Sequence, residues 1–501
     1  MLEERRTEAD AGVASAGGDG ATVASAYRDW FTWVVAALVF GAYTVISLFR
    51  LLTLTPSSWD LGIYTEYVKQ YADLRAPIVD IRGPGFNLLG DHFQVIVGLL
   101  APFFRIFPSP ATLLVAQALQ TAVSVFPVVQ AGFAVLGPGR SRGRAIGVAY
   151  GFSWGLQQMI NFDFHEIAFA VPLLAFSLSA LVRGKYRSAI LWALPLVFVK
   201  EDQGFTVAAI GLYLVFAGRR AGDWRRMRGG VFLTAWGLAW SLLAIAVIIP
   251  HFNPQHEYYY WSKGGVVGGS SAFSPFGLAR QTVYAWPVKL QTSVLLLLPT
   301  AFVALGSPIA LLTLPSIALR FMSTDSSYWG TDWHYNATVM PILFIAAIEV
   351  MGRWGTRSAA TSVSPLWRQV TTAASRHGAA MMVAVSFAMA FQFPLSSLWH
   401  GSTYTISSHV QADNAAMARV PDGATVTTTL TLLAPLAART DTFWIGNAGN
   451  PLTSYIVFDG ETSGYSPAPS NVTQFIEQQL YRNDGYRQVF EDDDVYVFER
   501  G

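Results

Sequence analysis

Long apolar stretches alternate along the chain with short, strongly polar clusters, and the stretches have the length of membrane spans. Trp33 to Leu54 and the runs 110–136, 145–161, 166–182, 187–199, 203–218, 230–250, 288–304, 306–320, 337–352 and 378–395 approach the roughly 20 residues a helix needs to cross a bilayer. The pattern predicts a polytopic α-helical membrane protein of about eleven transmembrane helices. The apolar run Phe93 to Phe107 is short, contains Pro102 and precedes Pro108 and Pro110, so it reads as a re-entrant or interfacial helix. Residues 1–26 lack an apolar core and read as a disordered tail, not a signal peptide. After Ser396 the pattern changes. Ala424 to Thr429 and Tyr455 to Phe458 are β-rich, Val472 to Tyr481 has helical spacing, and Tyr486 to Phe498 resembles a hairpin around Glu491 to Asp494. The expected organisation is a tail (1–26), a transmembrane domain (27–395) with a long first outer loop (55–109), and a small extracytoplasmic α/β domain (396–501).

Composition agrees: 52% hydrophobic and 13% charged residues exclude a soluble multidomain enzyme. The absence of cysteine removes disulfides, thiolate metal sites and a cysteine nucleophile. Loop charge sets the expected orientation, because cytoplasmic loops carry the excess Lys and Arg. Arg140, Arg142 and Arg144; Arg183, Lys185 and Arg187; Arg219, Arg220, Arg225, Arg226 and Arg228; and Arg353, Arg357, Arg368 and Arg376 form four basic loops. With a cytoplasmic N-terminus the span count puts all four inside. The same count puts the polar clusters, and the C-terminal domain, outside a plasma membrane.

Those clusters carry the candidate chemistry, since carboxylates and imidazoles beside hydrocarbon-length segments are costly to desolvate. Asp60 opens a stretch with Ile63, Tyr64, Tyr67, Val68 and Tyr71 at helical spacing, suited to an interfacial helix with its aromatic face toward lipid. Asp60 is a general base or ligand on the functional reading and an N-cap on the structural one. Asp91 and His92 sit where that loop meets the next apolar run, with a histidine bonded to a backbone carbonyl as the plain alternative. Asp163, His165 and Glu166 crowd one turn. With Asp91 and His92 they form a mixed carboxylate and imidazole set that suits Mn, Mg or Zn, and a phosphate-bearing site favours Mg or Mn. Lys200, Glu201 and Asp202 are either a neutralised helix end or a phosphate site helped by Arg320. His334, beside Asp332 and Asn336, is a substrate contact or a structural histidine. The acidic run 491–494 reads as a solvated turn.

Trp59-Asp60-Leu61-Gly62-Ile63-Tyr64, Gly90-Asp91-His92-Phe93, Phe107-Pro108-Ser109-Pro110, Phe162-Asp163-Phe164-His165-Glu166 and Lys200-Glu201-Asp202 together resemble the prokaryotic membrane-protein family designated domain of unknown function 2079. The resemblance covers roughly residues 40–460 and implies no established activity. In architecture such a chain is similar to the GT-C membrane glycosyltransferases, which have a long first outer loop with an acid near the end of the first span. That likeness implies Asp60 as the loop acid, although GT-C enzymes often carry two adjacent acids where this chain has Trp59-Asp60. It implies a polyprenyl-phosphate-linked sugar donor and a glycan or lipid acceptor at the outer membrane face, with Asp60 as catalytic base, Lys200, Arg320, Glu201, Asp202 and His334 toward substrate, and Asp91, His92, Asp163, His165 and Glu166 toward a divalent metal. No nucleic-acid partner is expected. The competing readings are a transporter or lipid flippase with an acid and histidine relay, and a non-catalytic envelope assembly protein.

Overall fold

The computed structural model describes residues 25–56, 58–137, 139–262, 280, 283–323, 325–357, 365–465, 469–481 and 484–501. The tail expected at 1–26 lies almost wholly outside them, as does much of the loop 251–287. Among the described residues four helices are long and apolar enough to cross a membrane: Trp30–Leu52, Pro110–Val135, Trp224–Phe252 and His334–Gly355. Shorter apolar helices at Glu166–Val182, Tyr186–Phe198 and Pro308–Met322 pack among them, and the chain is a polytopic helical membrane protein.

Local sequence explains the helix ends. Asp29 caps Trp30–Leu52 by accepting from the Thr32 amide at 3.2 Å, and Ser109 caps Pro110–Val135 just ahead of a helix-compatible proline. Gly222 takes a left-handed conformation, φ 66°, and reverses the chain between Gln203–Ala221 and Trp224–Leu243. These two helices lie so close that a Cβ on Gly204 would meet the Gly237 carbonyl oxygen at 2.4 Å, and one on Gly211 would meet that of Gly230 at 2.7 Å.

The bundle has two chemically distinct ends. At one, Asp29 receives Arg140 at 3.4 Å and Arg144, and Arg142 reaches the Ser375 carbonyl at 3.2 Å. Arg226 donates to Tyr186 at 2.9 Å nearby, so residues from the basic loops gather there. At the far end of the same helix, 21 residues and about 32 Å from Asp29, Arg50 pairs with Asp163 at 3.2 Å.

The first long loop folds over this second end as the helix Asp60–Ala72, a bridge between Ile78 and Asn87, and the short helix Ala101–Ile106. The run 93–107 is a short apolar helix, Val95–Ile106, whose first half is a 3-10 helix. The aromatic face of Asp60–Ala72 does not meet lipid as its spacing predicted. Leu61, Ile63, Tyr64, Tyr67 and Val68 are buried against Leu113 and Phe164 on one side and Leu433, Ala434 and Ala437 on the other. A Cβ on Gly62 would meet that of Leu433 at 2.9 Å. Periodicity identifies an apolar face but not its neighbour, and here the neighbour is the C-terminal region.

That region holds a five-stranded sheet in the order β2-β1-β3-β5-β4, from β1 (Thr425–Thr428), β2 (Asp441–Trp444), β3 (Tyr455–Asp459), β4 (Tyr486–Asp492) and β5 (Val495–Arg500). β1 pairs parallel with β2 and β3, and β5 pairs antiparallel with β3 and β4. Asp441–Trp444 carried no strand signal in the sequence reading. The helix Leu433–Ala437 joins the sheet to the outer-loop helix, and Asn447 bonds the Asp80 and Ile81 carbonyls at 3.3 and 2.9 Å. The outer loop is therefore clamped between bundle and sheet.

Candidate active site

Beneath the outer-loop helix, polar side chains from four separate segments converge. Glu166, fully buried, lies at the centre. The Tyr64 hydroxyl donates to Glu166 Oε2, His165 Nδ1 stands 2.5 Å from the same oxygen, and Lys200 Nζ is 3.2 Å from Oε1. A carboxylate at this depth is tolerated because the Lys200 ammonium faces one oxygen and the Tyr64 hydroxyl donates to the other. Tyr64 also donates to Gln94 Oε1 at 2.9 Å.

Asp60 stands at the rim of this cluster. It does not cap its helix: its carboxylate accepts from the Ser58 hydroxyl at 2.8 Å and feels the charges of His165, Glu166 and Lys200. Burial pushes its carboxyl upward, opposed by His165 and the Ser58 hydrogen bond, while the residue keeps partial solvent access. A carboxylate shifted toward neutral pH and open on one side has the properties of a general base. Burial alone would lower the Lys200 ammonium, but Glu166, Glu201 and Asp202 outweigh it and hold Lys200 well above the ordinary lysine range. The His165 imidazole is lowered by burial, which the neighbouring Glu166 only partly offsets.

A second layer flanks this core. His92 Nδ1 lies 2.7 Å from Glu201 Oε1, which also accepts from Tyr258 at 3.0 Å, while the Phe93 amide donates to Oε2 at 3.1 Å. Tyr260 stacks on His92 at 4.4 Å and donates to Asp91 at 3.2 Å, and Asp91 in turn pairs with Arg82 at 3.2 Å. His334 stacks on His165 at 3.5 Å, and neither of its ring nitrogens has a hydrogen-bond partner although it is buried.

The expected substrate and metal residues are thus sorted. Asp60, His165, Glu166, Lys200 and His334 come together, with Asp202, Glu201, His92 and Asp91 around them. Asp163 does not join the others: it faces Arg50, and its φ of 75° is fixed by Gln117, whose amide reaches the Asp163 carbonyl while its Oε1 accepts from the His165 amide at 3.1 Å. Of the five residues expected to hold one ion, only His165 and Glu166 meet; Asp91, His92 and Asp163 each answer a different charge. Arg320 does not turn toward the site either. Its guanidinium bonds the Tyr328 and Gly330 carbonyls at 3.0 and 3.2 Å and Asn336 Oδ1 at 2.9 Å, so it braces the loop 326–336. The sequence reading missed the tyrosines. Tyr64 falls on the face expected to meet lipid, and Tyr258 and Tyr260 lie outside the candidate clusters, since nothing local marks a hydroxyl that meets a carboxylate far along the chain.

In fold, a helical bundle with an outer loop packed over its end, the chain resembles the GT-C class of membrane glycosyltransferases. Across 93% of its length it superposes on 97% of ArnT from Cupriavidus metallidurans, a crystal structure bound to undecaprenyl phosphate, with a TM-score of 0.52 and 13% identity, a likeness of fold alone. The chain belongs to the predicted membrane protein family DUF2079, which matches residues 50–497. No curated protein matches it.

Proposed function

We propose that the protein is a GT-C-like membrane glycosyltransferase that takes a sugar from a polyprenyl-phosphate-linked donor at the outer face of the plasma membrane. The observation that carries this reading is the convergence of Asp60 with Glu166, His165 and Lys200 under the outer-loop helix. In the proposed step an acceptor hydroxyl of a glycan or lipid attacks the anomeric carbon and its proton passes to the Asp60 carboxylate. The bond from that carbon to the phosphate oxygen breaks, and polyprenyl phosphate leaves with the electron pair. Lys200, with three donors and one carboxylate already facing it, supplies charge to the leaving phosphate. Glu166 keeps Lys200 ionised and in place, and the Tyr64 hydroxyl and His165 hold the Glu166 carboxylate in position. A divalent ion accompanying the phosphate would be held by Glu166 and His165 and would add positive charge at the leaving group; the imidazole in that pair would suit manganese better than magnesium. The N-terminus is then cytoplasmic, the basic loops lie on that side, and the 396–501 domain is extracytoplasmic.

The test is transfer of radiolabelled sugar from a panel of polyprenyl-phosphate donors in membranes. Asp60→Asn is expected to lower transfer about 10²–10⁴-fold with the folded protein retained on size exclusion. Undiminished transfer would remove Asp60 as the base. Absence of transfer by the unaltered protein, together with substrate-dependent flux in sealed liposomes, would replace the enzyme with a transporter.

A further inference from the structure

A second histidine and carboxylate cluster lies in the C-terminal sheet domain, away from the residues discussed above. His409 and Asp413 are four residues apart on the helix Ser408–Met417 and so share a face, and Asp459 ends β3 beneath them. One donor atom from each lies within 4.8 Å of the others. His409 Nδ1 is 2.8 Å from the Asp493 carbonyl oxygen, which only a ring N–H can satisfy, so in the neutral ring Nε2 carries the lone pair. That lone pair points at acceptors: Asp459 Oδ1 at 3.0 Å, Glu461 Oε2 at 3.8 Å and Asp413 Oδ2 at 3.9 Å. Asp413 is the decisive member. Its side chain is 1% exposed, and neither carboxylate oxygen has a hydrogen-bond donor. Asp459 differs, because it accepts from the Thr462 amide at 3.2 Å and from the Thr462 hydroxyl. Several acceptors facing one another around a buried, undonated carboxylate need a cation between them.

We infer that His409, Asp413 and Asp459 bind a divalent transition ion of the zinc or manganese type, with the exposed Glu461 or water as a further ligand. One imidazole with carboxylates suits these ions better than calcium or magnesium, which favour all-oxygen shells. The ion would fasten the helix that follows the membrane bundle to β3 and, through Asp493, to the β4–β5 turn.

The experiment uses full-length protein in detergent, stripped with chelator and titrated calorimetrically with zinc chloride, and in parallel with manganese, calcium and magnesium chlorides. Relative to the unaltered protein, Asp413→Asn and His409→Gln should each lose one equivalent of bound zinc or manganese and the accompanying rise in melting temperature. Without metal, Asp413→Asn should melt no lower than the unaltered protein, because it removes an uncompensated charge and not a contact. Equal zinc and manganese stoichiometry in the unaltered protein and Asp413→Asn would overturn the site. Binding of calcium as tight as that of zinc would overturn the assigned ion class. A gain in stability for Asp413→Asn without any metal bound to the unaltered protein would assign the cluster to protons instead.

Discussion

Glu166 and Asp413 are both buried carboxylates in clusters that contain a histidine, one at the end of the membrane helices and the other in the C-terminal sheet. Glu166 has His165 and Lys200 at 2.5 and 3.2 Å on its two oxygens and a tyrosine hydroxyl besides. Asp413 has only His409 at 3.9 Å and no donor at all, and burial, aided by the nearby Asp459, raises its carboxyl to about 7. The same desolvation is answered in one place at close range by the Lys200 ammonium and the Tyr64 hydroxyl, and in the other only by a histidine at the limit of ion-pair distance. A carboxylate with an ammonium at close range is suited to hold its charge, whereas one left short is suited to receive an ion.

The two can be pushed toward each other, and Asp60 is the first lever, since the expected 10²–10⁴-fold loss of transfer on Asp60→Asn corresponds to about 3–5 kcal/mol at the transition state. Lys200→Met would make Glu166 resemble Asp413, and an uncompensated buried charge is expected to cost about 3–5 kcal/mol, read as a lowered apparent melting temperature. Adding Glu166→Gln to Lys200→Met should return much of that stability without returning transfer. If the double variant is no more stable than the single one, the ion pair is not what holds the site.

Glu66 supplies an intermediate case. It is buried in the outer-loop helix, accepts from the Ile81 amide at 3.1 Å, and is pushed by burial from 4.5 to about 8. Because the folded state binds its proton more tightly, stability is fullest below about pH 4.5, declines as pH rises toward 8, and levels off above. Glu66→Gln should abolish that decline and raise stability at pH 8 by an amount on the order of 2–4 kcal/mol. A melting temperature that falls equally with pH in both proteins would contradict it. The smallest effect tests the clamp: Gly62→Ala, whose new Cβ meets Leu433, should cost about 1–3 kcal/mol by overpacking. Limited proteolysis should then open the outer loop before the bundle.

The positions of the polar clusters relative to the apolar runs were legible because desolvation cost confines such residues to helix ends. Basic residues from separate loops do gather at the opposite end, as their charge pattern implied. Pairing was not legible. Lys200 and Arg320 look alike in sequence as cations ending apolar helices, yet one faces Glu166 and the other is consumed by backbone carbonyls, which leave no residue-type signature. The spacing of His409 and Asp413 was visible, but Asp459 joins them only through the sheet register, and the one acidic feature singled out in that region, 491–494, contributes the Asp493 carbonyl to the cluster.

The helix Trp30–Leu52 also acts as a ruler. Its ionic anchors, Asp29 with Arg144 at one end and Arg50 with Asp163 at the other, fix both its length and its rotation. Each residue turns a helix by about 100°. A single inserted residue between the anchors would therefore swing Arg50 away from Asp163 and loosen the turn that presents His165 and Glu166. Four inserted residues, just over one turn, would restore the angle but overshoot the span, so the distance between the two polar ends is set by the chain itself and not left to the thickness of the surrounding lipid.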